Sequence, residues 1–283
     1  MIKEAWMKAP QVKMIPTDRQ NRSIARNIGA AHARGEYLHF LDDDDWMLPN
    51  AFQALFVETL RAPNASWIYG AFKLVDNDGR VMKEIYPVET GNCLVQMIAS
   101  EWIPLQSSWI RRAAFQKVGG FAPLDSLEGG YEDIDLSRMI ARHYDFARAA
   151  EPVAVIRYGD VGSTTDYNNL VKQNRRSREK NLDSFAAFTR MKQSAKYVSA
   201  HQGYWHGRIL YYYLVSIIWN LKNRSFQKAV SRFLYAVLAL TLSGSYLFLP
   251  EYWRSLRSPH FNRVRKELGD MDDKLYAQTV WNR

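Results

Sequence analysis

Cysteine and long apolar runs are both scarce in this sequence. Its 283 residues include one cysteine, Cys93, which excludes an internal disulfide and favours a reducing compartment. The opening stretch, MIKEAWMKAPQVK, has no apolar core of the kind that a secretory signal needs. We therefore expect a cytoplasmic location, either free or at the inner face of the plasma membrane.

Charge is spread unevenly along the chain. Apolar residues make up 47% and charged residues 24%, which is typical of a globular protein. The net charge is +9, yet residues 1–150 hold 17 Lys and Arg against 19 Asp and Glu, whereas residues 195–283 hold 13 against 5. The basic end indicates an anionic partner or a solvated helix surface. Membrane lipid and nucleic acid are the anionic candidates, and we do not expect nucleic acid.

Helical and strand-like segments alternate through the first 165 residues. Helical spacing marks residues 24–33, 50–60, 93–100, 112–118 and 131–143, and apolar runs bounded by turns mark strands at 36–41, 66–75, 81–86, 106–110 and 152–156. The turn residues DNDG at 76–79 predict a hairpin between the strands at 66–75 and 81–86. This alternation predicts an α/β fold with a mostly parallel sheet. The later pattern is helical, so we expect two parts, residues 1–165 and residues 166–283.

Four consecutive aspartates, Asp42 to Asp45, follow the apolar run at residues 36–41. Neighbouring carboxylates repel one another, so they are stable only in water or around a cation. If the strand continues, Asp42 and Asp44 share one side, which suits a divalent ion that holds a diphosphate. The alternative is an acidic surface loop that caps the next helix, and the run alone does not separate the two.

The residues around this run form an ordered pattern, SIARNIGAAHARGEYLHFLDDDDWMLPN, from residue 23 to 50. It resembles the family 2 glycosyltransferases of GT-A fold, which carry S-x-A-R-N-x-G, A-x-G-E-Y, an apolar strand and D-x-D-D in this order. The resemblance implies donor-binding roles for Arg26, Asn27, Asp42 and Asp43. It also implies that Asp44 is the principal ligand of Mn²⁺ or Mg²⁺, with Asp42 beside it; Asp45 is a weaker candidate.

A second acidic motif opens the predicted helix at 131–143. The segment VGGFAPLDSLEGGYEDIDL, from residue 118 to 136, resembles the same family, where V-G-G-F precedes E-D-x-D-L. The resemblance implies that Asp133 is the base that takes the acceptor proton and that Glu132 supports it. It places acceptor-side contacts at Gln106 and Ser107, and a family-like arginine at Arg138. Without it, Glu132 and Asp133 are acids that suit the first turn of a helix.

The resemblance implies an activity as well as a site. That activity is inverting transfer of a sugar from a nucleotide-diphosphate sugar to a saccharide or lipid-linked acceptor. The family's opening P-x-Y-N-like and V-D-D-G-S-like segments are not found before residue 21, so we expect a partial, N-terminally truncated GT-A (Rossmann-like) domain. The alternative is a non-catalytic fragment or scaffold relative that lacks a complete donor site. Two further possibilities stay open: another chain supplies the missing half, or the same acids serve a metal-dependent phosphohydrolase.

Two uncharged stretches, residues 209–221 and 233–249, lie in the C-terminal region. Basic and aromatic residues flank them, as in helices that lie at a membrane interface. Three interpretations stay open: a helical tail packed on the first part, which we place first, a peripheral membrane contact, and a membrane span.

Overall fold

The computed structural model describes residues 11–17, 21–87, 89–99, 103–122, 131–157, 167–197 and 201–257. The glycines Gly129 and Gly130 of the second motif lie outside the described residues. Sheet strands and short helices occupy the described chain up to Arg157, and helices alone follow from Tyr167.

Six strands form one mixed sheet in the order β1-β5-β3-β6-β2, with β4 paired to the second half of β3. The strands are β1 (Tyr37–Leu38), β2 (Trp46–Met47), β3 (Ala65–Val75), β4 (Val81–Ile85), β5 (Ser108–Arg111) and β6 (Asp145–Arg157). Within the described residues, only β3 and β6 pair in parallel, and the other four pairings are antiparallel.

The α/β class is therefore confirmed, but the expectation of a mostly parallel sheet is wrong for the described strands. A parallel pair needs a long crossover, and about 70 residues separate β3 from β6. The remaining connections reverse the chain instead. At residues 76–80 the Asp76 carboxylate accepts the backbone N–H groups of Asp78 and Arg80, and Gly79 takes φ +81°, which closes the predicted hairpin between β3 and β4.

Strand β3 is buried on both faces, so it divides the core into two clusters. Trp67 and Tyr69 belong to one cluster, and Ile68 and Phe72 belong to the other. This alternation follows from the two-residue period of a strand. In the described residues, short α-helices accompany the sheet: α1 (Arg22–His32), α2 (Ala51–Arg61), α3 (Leu94–Ile98), α4 (Arg112–Lys117) and α5 (Glu132–Ala141).

Beyond the sheet, the described residues form the α-helices α6 (Tyr167–Asn181), α7 (Phe185–Tyr197), α8 (Gln202–Lys222), α9 (Phe226–Thr241) and α10 (Pro250–Arg257), with a 3₁₀ helix at Gly244–Phe248. Phe188, Trp205 and Tyr213 from this region join the same core cluster as Trp67. The helical region is thus packed on the sheet. No helix in the described part is long and apolar enough to cross a membrane.

Candidate active site

The acidic run forms a turn and does not extend the strand. Strand β1 ends at Leu38, and the Asp45 backbone N–H donates to the Asp42 carbonyl at 3.3 Å. The strand argument that put Asp42 and Asp44 on one side is therefore wrong, because strand alternation does not apply within a turn. Asp43 and Asp44 are exposed, and Asp42 and Asp45 are half-buried.

Arg26 joins the two acidic motifs. Its guanidinium donates to Asp42 Oδ1 at 2.7 Å and to Glu132 Oε1 at 3.2 Å. Helix α1 supplies this arginine. Asn21 caps the first turn of α1 by accepting the Ile24 N–H, and Arg26 lies one turn into the helix. Guanidinium groups donate in a planar fork, so one arginine can hold two carboxylates in fixed positions. The turn at residue 42 and the start of α5 therefore face one another.

Gln106 lies in the same cluster. Its amide donates to Asp42 Oδ2 at 2.9 Å, so both oxygens of Asp42 already have a partner. The sequence placed Gln106 on the acceptor side, and the structure places it directly against the acidic turn. Ser107, its predicted companion, is fully buried and donates to the Pro104 carbonyl, so its hydroxyl does not reach the surface.

Asn27 ties α1 to the Gly119-Gly120-Phe121 turn. Its side chain donates to the Phe121 carbonyl at 2.8 Å and accepts the Phe121 N–H at 2.9 Å. Gly120 has φ +69°, and a Cβ at that position would lie 2.6 Å from Asn27 Oδ1. The glycine of the V-G-G-F pattern is thus required by this contact. The amide nitrogen and the amide oxygen of Asn27 therefore both hold this turn in position, whereas the resemblance implied that Asn27 binds the donor.

The two carboxylates at the start of α5 lie in different environments. Glu132 is buried, and its Oε2 has no hydrogen-bond partner within the described residues. Asp133 is half-buried, and burial followed by the charge of Glu132 raises its pKa to about 6. A carboxylate with that pKa is suited to proton transfer near neutral pH. Burial, followed by the charges of Asp44 and Asp42, also raises the pKa of Asp45 to about 6, against hydrogen bonds from Arg157 and Gln106.

The side chains of this site supply only part of the ligands that a divalent cation needs. Among the described residues, no three His, Cys, Asp or Glu side chains are grouped so that they could hold a metal ion. Mg²⁺ at phosphate sites is bound through one or two carboxylates together with substrate phosphates and water. Asp44 meets that requirement, because it is exposed and has no hydrogen bond or ion pair within the described residues. Asp42 is less free, since Arg26 neutralises it.

Arg138 has a structural role that the sequence did not reveal. It is fully buried and donates to the Met97 carbonyl and to Ser177 and Asn174 on α6. Burial lowers its pKa to about 9. This arginine connects α5 to the helical region. Only the pattern Asn174-x-x-Ser177 on the facing helix could have indicated it.

Three comparisons bear on this arrangement. Residues 1–119 match the family model described as glycosyl transferase family 2. A relative described as an uncharacterized glycosyltransferase of Haemophilus influenzae is 31% identical over 113 residues, which is 38% of this chain and 38% of that protein. The chain thus matches about two fifths of the length of that relative. The first motif, residues 23–50, lies within the residues that the family model matches, whereas the second, residues 118–136, lies almost entirely beyond them.

Solved structures show a weaker likeness. The crystal structure of S. aureus TarS 1-349 in complex with UDP-GlcNAc is 13% identical, with a TM-score of 0.48, over 85% of this chain and 78% of that one. The structure of S. aureus TarS 1-349 without a named ligand is also 13% identical, with a TM-score of 0.46, over 82% and 76%.

Proposed function

We propose that this chain, whose residues 1–119 belong to glycosyl transferase family 2, transfers a sugar from a nucleotide-diphosphate sugar to a saccharide or lipid-linked acceptor. The observation that carries the proposal is the contact of Arg26 with both Asp42 and Glu132. It brings the acidic turn and Glu132, the neighbour of Asp133 at the start of α5, to one guanidinium. A single displacement at the anomeric carbon requires that the donor site and the base be neighbours.

Asp133 is the proposed base. It accepts the proton of the acceptor hydroxyl, and the acceptor oxygen forms a bond to the anomeric carbon. The bond from that carbon to the diphosphate oxygen breaks on the opposite face, so the configuration is inverted. The pKa of about 6 supports this role, because the carboxylate is ionised at neutral pH and still accepts a proton readily. Glu132 positions the site through Arg26.

Asp44 is the proposed protein ligand for Mn²⁺ or Mg²⁺, with Asp42 as a second contact. When bound, such an ion supplies positive charge that neutralises the departing diphosphate. Arg26 orients the turn through Asp42, and Gln106 holds the other oxygen of the same carboxylate. Asp43 is exposed beside them and is proposed to contact the donor.

The test is release of nucleoside diphosphate from a panel of nucleotide sugars, with a panel of saccharide and lipid-linked acceptors. We expect release that depends on acceptor, on Asp133 and on a divalent cation. Donor binding measured by calorimetry separates the alternative of a scaffold relative. Failure to bind any nucleotide sugar in the presence of Mn²⁺ would favour the scaffold relative, which lacks a complete donor site, whereas cation-dependent binding without turnover on any acceptor would contradict the assignment of the base.

A further inference from the structure

Helix α9 has a buried stripe of small apolar side chains and an exposed stripe of large ones. Its alanines Ala229, Ala236 and Ala239 are buried where α9 packs on α8. Tyr235 and Leu238 are half-buried against the core, but most of its other large apolar side chains are exposed: Phe226 is 63% and Phe233 is 57% exposed. An ordinary surface helix buries its large apolar residues and exposes polar ones. The exposed stripe of this helix is therefore not explained by packing within the described chain.

The exposed stripe continues onto the neighbouring helix. On α9 the exposed residues recur every three or four positions and so share one face of the helix. Leu221 ends the exposed stripe of α8, and Phe226 begins that of α9 after a turn closed by Ser225 N–H to the Asn220 carbonyl at 2.8 Å. We call this surface the hairpin face, and it comprises Leu214, Ile218, Leu221, Phe226, Val230, Phe233, Val237 and Leu240.

The exposed charges at the edge of the hairpin face are basic; the acid Glu179 of α6 also contacts the two helices, but on their buried side, where it pairs with Arg232. Residues 202–257 contain seven Lys and Arg and a single acid, Glu251. That acid is engaged, since it accepts the Gly203 N–H at 3.0 Å and lies 3.4 Å from His201. Lys222 and Arg224 are exposed in the turn between Leu221 and Phe226, and no acid of the described chain pairs with either. An apolar face with unpaired cations at its edge complements a surface that is apolar within and anionic at its rim.

We propose that the hairpin face lies on an anionic lipid bilayer, with its apolar side chains in the headgroup region and Lys222 and Arg224 against lipid phosphates. Interfacial helices bind by this combination of apolar burial and attraction to anionic lipid. A second copy of the chain fits less well, because two such surfaces would bring the same excess of cations together. The inference does not depend on the proposed sugar transfer.

The experiment is flotation of the full chain with vesicles of phosphatidylcholine, with or without phosphatidylglycerol. We expect binding to the anionic vesicles that weakens as salt rises from 0.1 to 1 M, because salt screens the headgroup charge. Replacing both cations, Lys222→Gln with Arg224→Gln, should weaken binding about thirtyfold, since each basic residue near such a surface contributes on the order of a fivefold factor.

The apolar half of the proposal has a matched control. Phe226→Gln with Phe233→Gln should weaken binding roughly tenfold or more, because the removed rings no longer enter the headgroup region. Phe52→Gln with Phe56→Gln alters two phenylalanines of similar exposure, 63% and 55%, on α2. That control should bind vesicles as the unaltered chain does. Circular dichroism of each variant confirms that the helices are retained.

Three results would overturn the proposal. The first is no binding to anionic vesicles. The second is equal loss of binding in the α9 pair and the α2 pair. The third is a lipid-free dimer, seen by light scattering, that the α9 pair dissociates while vesicle binding is absent; this would assign the hairpin face to a second copy of the chain.

Discussion

The Arg26 guanidinium lies 2.7 Å from Asp42 Oδ1, and the same group lies 3.2 Å from Glu132 Oε1. These carboxylates are 90 residues apart in sequence, at the acidic turn and at the start of α5. Charge-assisted bonds to a planar fork fix both the distance and the orientation of their acceptors. The relative position of the donor-side turn and the proposed base therefore depends on one side chain of α1.

Replacing Arg26 separates stability from catalysis. Arg26→Met removes the nearer of the two cations beside the buried Glu132 and leaves Arg22 at 3.6 Å, so the loss of stability should be at most about 3 kcal/mol, the cost of breaking a buried pair. Turnover should fall roughly 100-fold, because misplacement of the reacting groups by about 1 Å has that effect. The measurements are the free energy of unfolding in urea and kcat.

The double variant Arg26→Met with Glu132→Gln provides the control. Most of the lost stability should return, because the amide carries no charge, while kcat should stay low. Recovery of full turnover in the double variant would show that Arg26 acts only on stability and does not position the two motifs.

Two adjacent glycines make a matched pair for the α1 contact. Gly119 and Gly120 both have positive φ, +88° and +69°, so alanine at either position carries similar backbone strain. A Cβ at Gly119 meets nothing within 4 Å, whereas one at Gly120 would lie 2.6 Å from Asn27 Oδ1. Gly120→Ala should therefore destabilise the chain by about 1–2 kcal/mol more than Gly119→Ala, by thermal or chemical unfolding. Equal losses would mean that the Asn27 contact does not constrain this turn.

The pH dependence of turnover follows from the raised pKa of Asp133. A base acts in its ionised form, so kcat/KM should rise about tenfold per pH unit below pH 6 and level off above it. The charge of Glu132 contributes to that raised pKa. Glu132→Gln should consequently move the rising limb to lower pH. If the rising limb stays at the same pH in Glu132→Gln, or if it is still present in Asp133→Asn, the titrating group is not Asp133.

Removal of divalent cations should stop turnover. Addition of EDTA should abolish nucleoside diphosphate release, and Mn²⁺ or Mg²⁺ should restore it. Asp44→Asn should raise the cation concentration needed for half-maximal rate, because a neutral amide is a weaker ligand for a hard cation. Asp78→Asn, in the exposed hairpin turn, is the control and should behave as the unaltered chain. Full turnover in EDTA would contradict the metal assignment.

Local patterns predicted the parts of the fold that local chemistry determines. The helices α1 and α2, the hairpin at Asp76 and the start of α5 were predicted within a few residues, since capping, turn chemistry and helical spacing lie within short segments. The strand pairing was not, because β5 pairs antiparallel with β1 and β3, which lie far from it in sequence, and an apolar pattern does not specify which strand is the partner.

The candidate site, like the fold, was predicted from the sequence only in part. The acidic residues were found from their motifs, yet the partners of Asp42 were not, because Arg26 and Gln106 approach it through tertiary packing. Asn27 and Arg138 belong to the same motifs, and their contacts are with backbone and the helical region. A motif thus marks which residues matter together, whereas only the packing distinguishes a group that meets substrate from one that positions it.

The most direct test of the central claim compares Asp133→Asn with the unaltered chain on the donor and acceptor that support turnover. We expect kcat to fall on the order of 10³-fold, within the range for loss of a general base, while the donor Kd from calorimetry is unchanged. Turnover equal to that of the unaltered chain would contradict the assignment of Asp133 as the base, and with it the single site that Arg26 holds together.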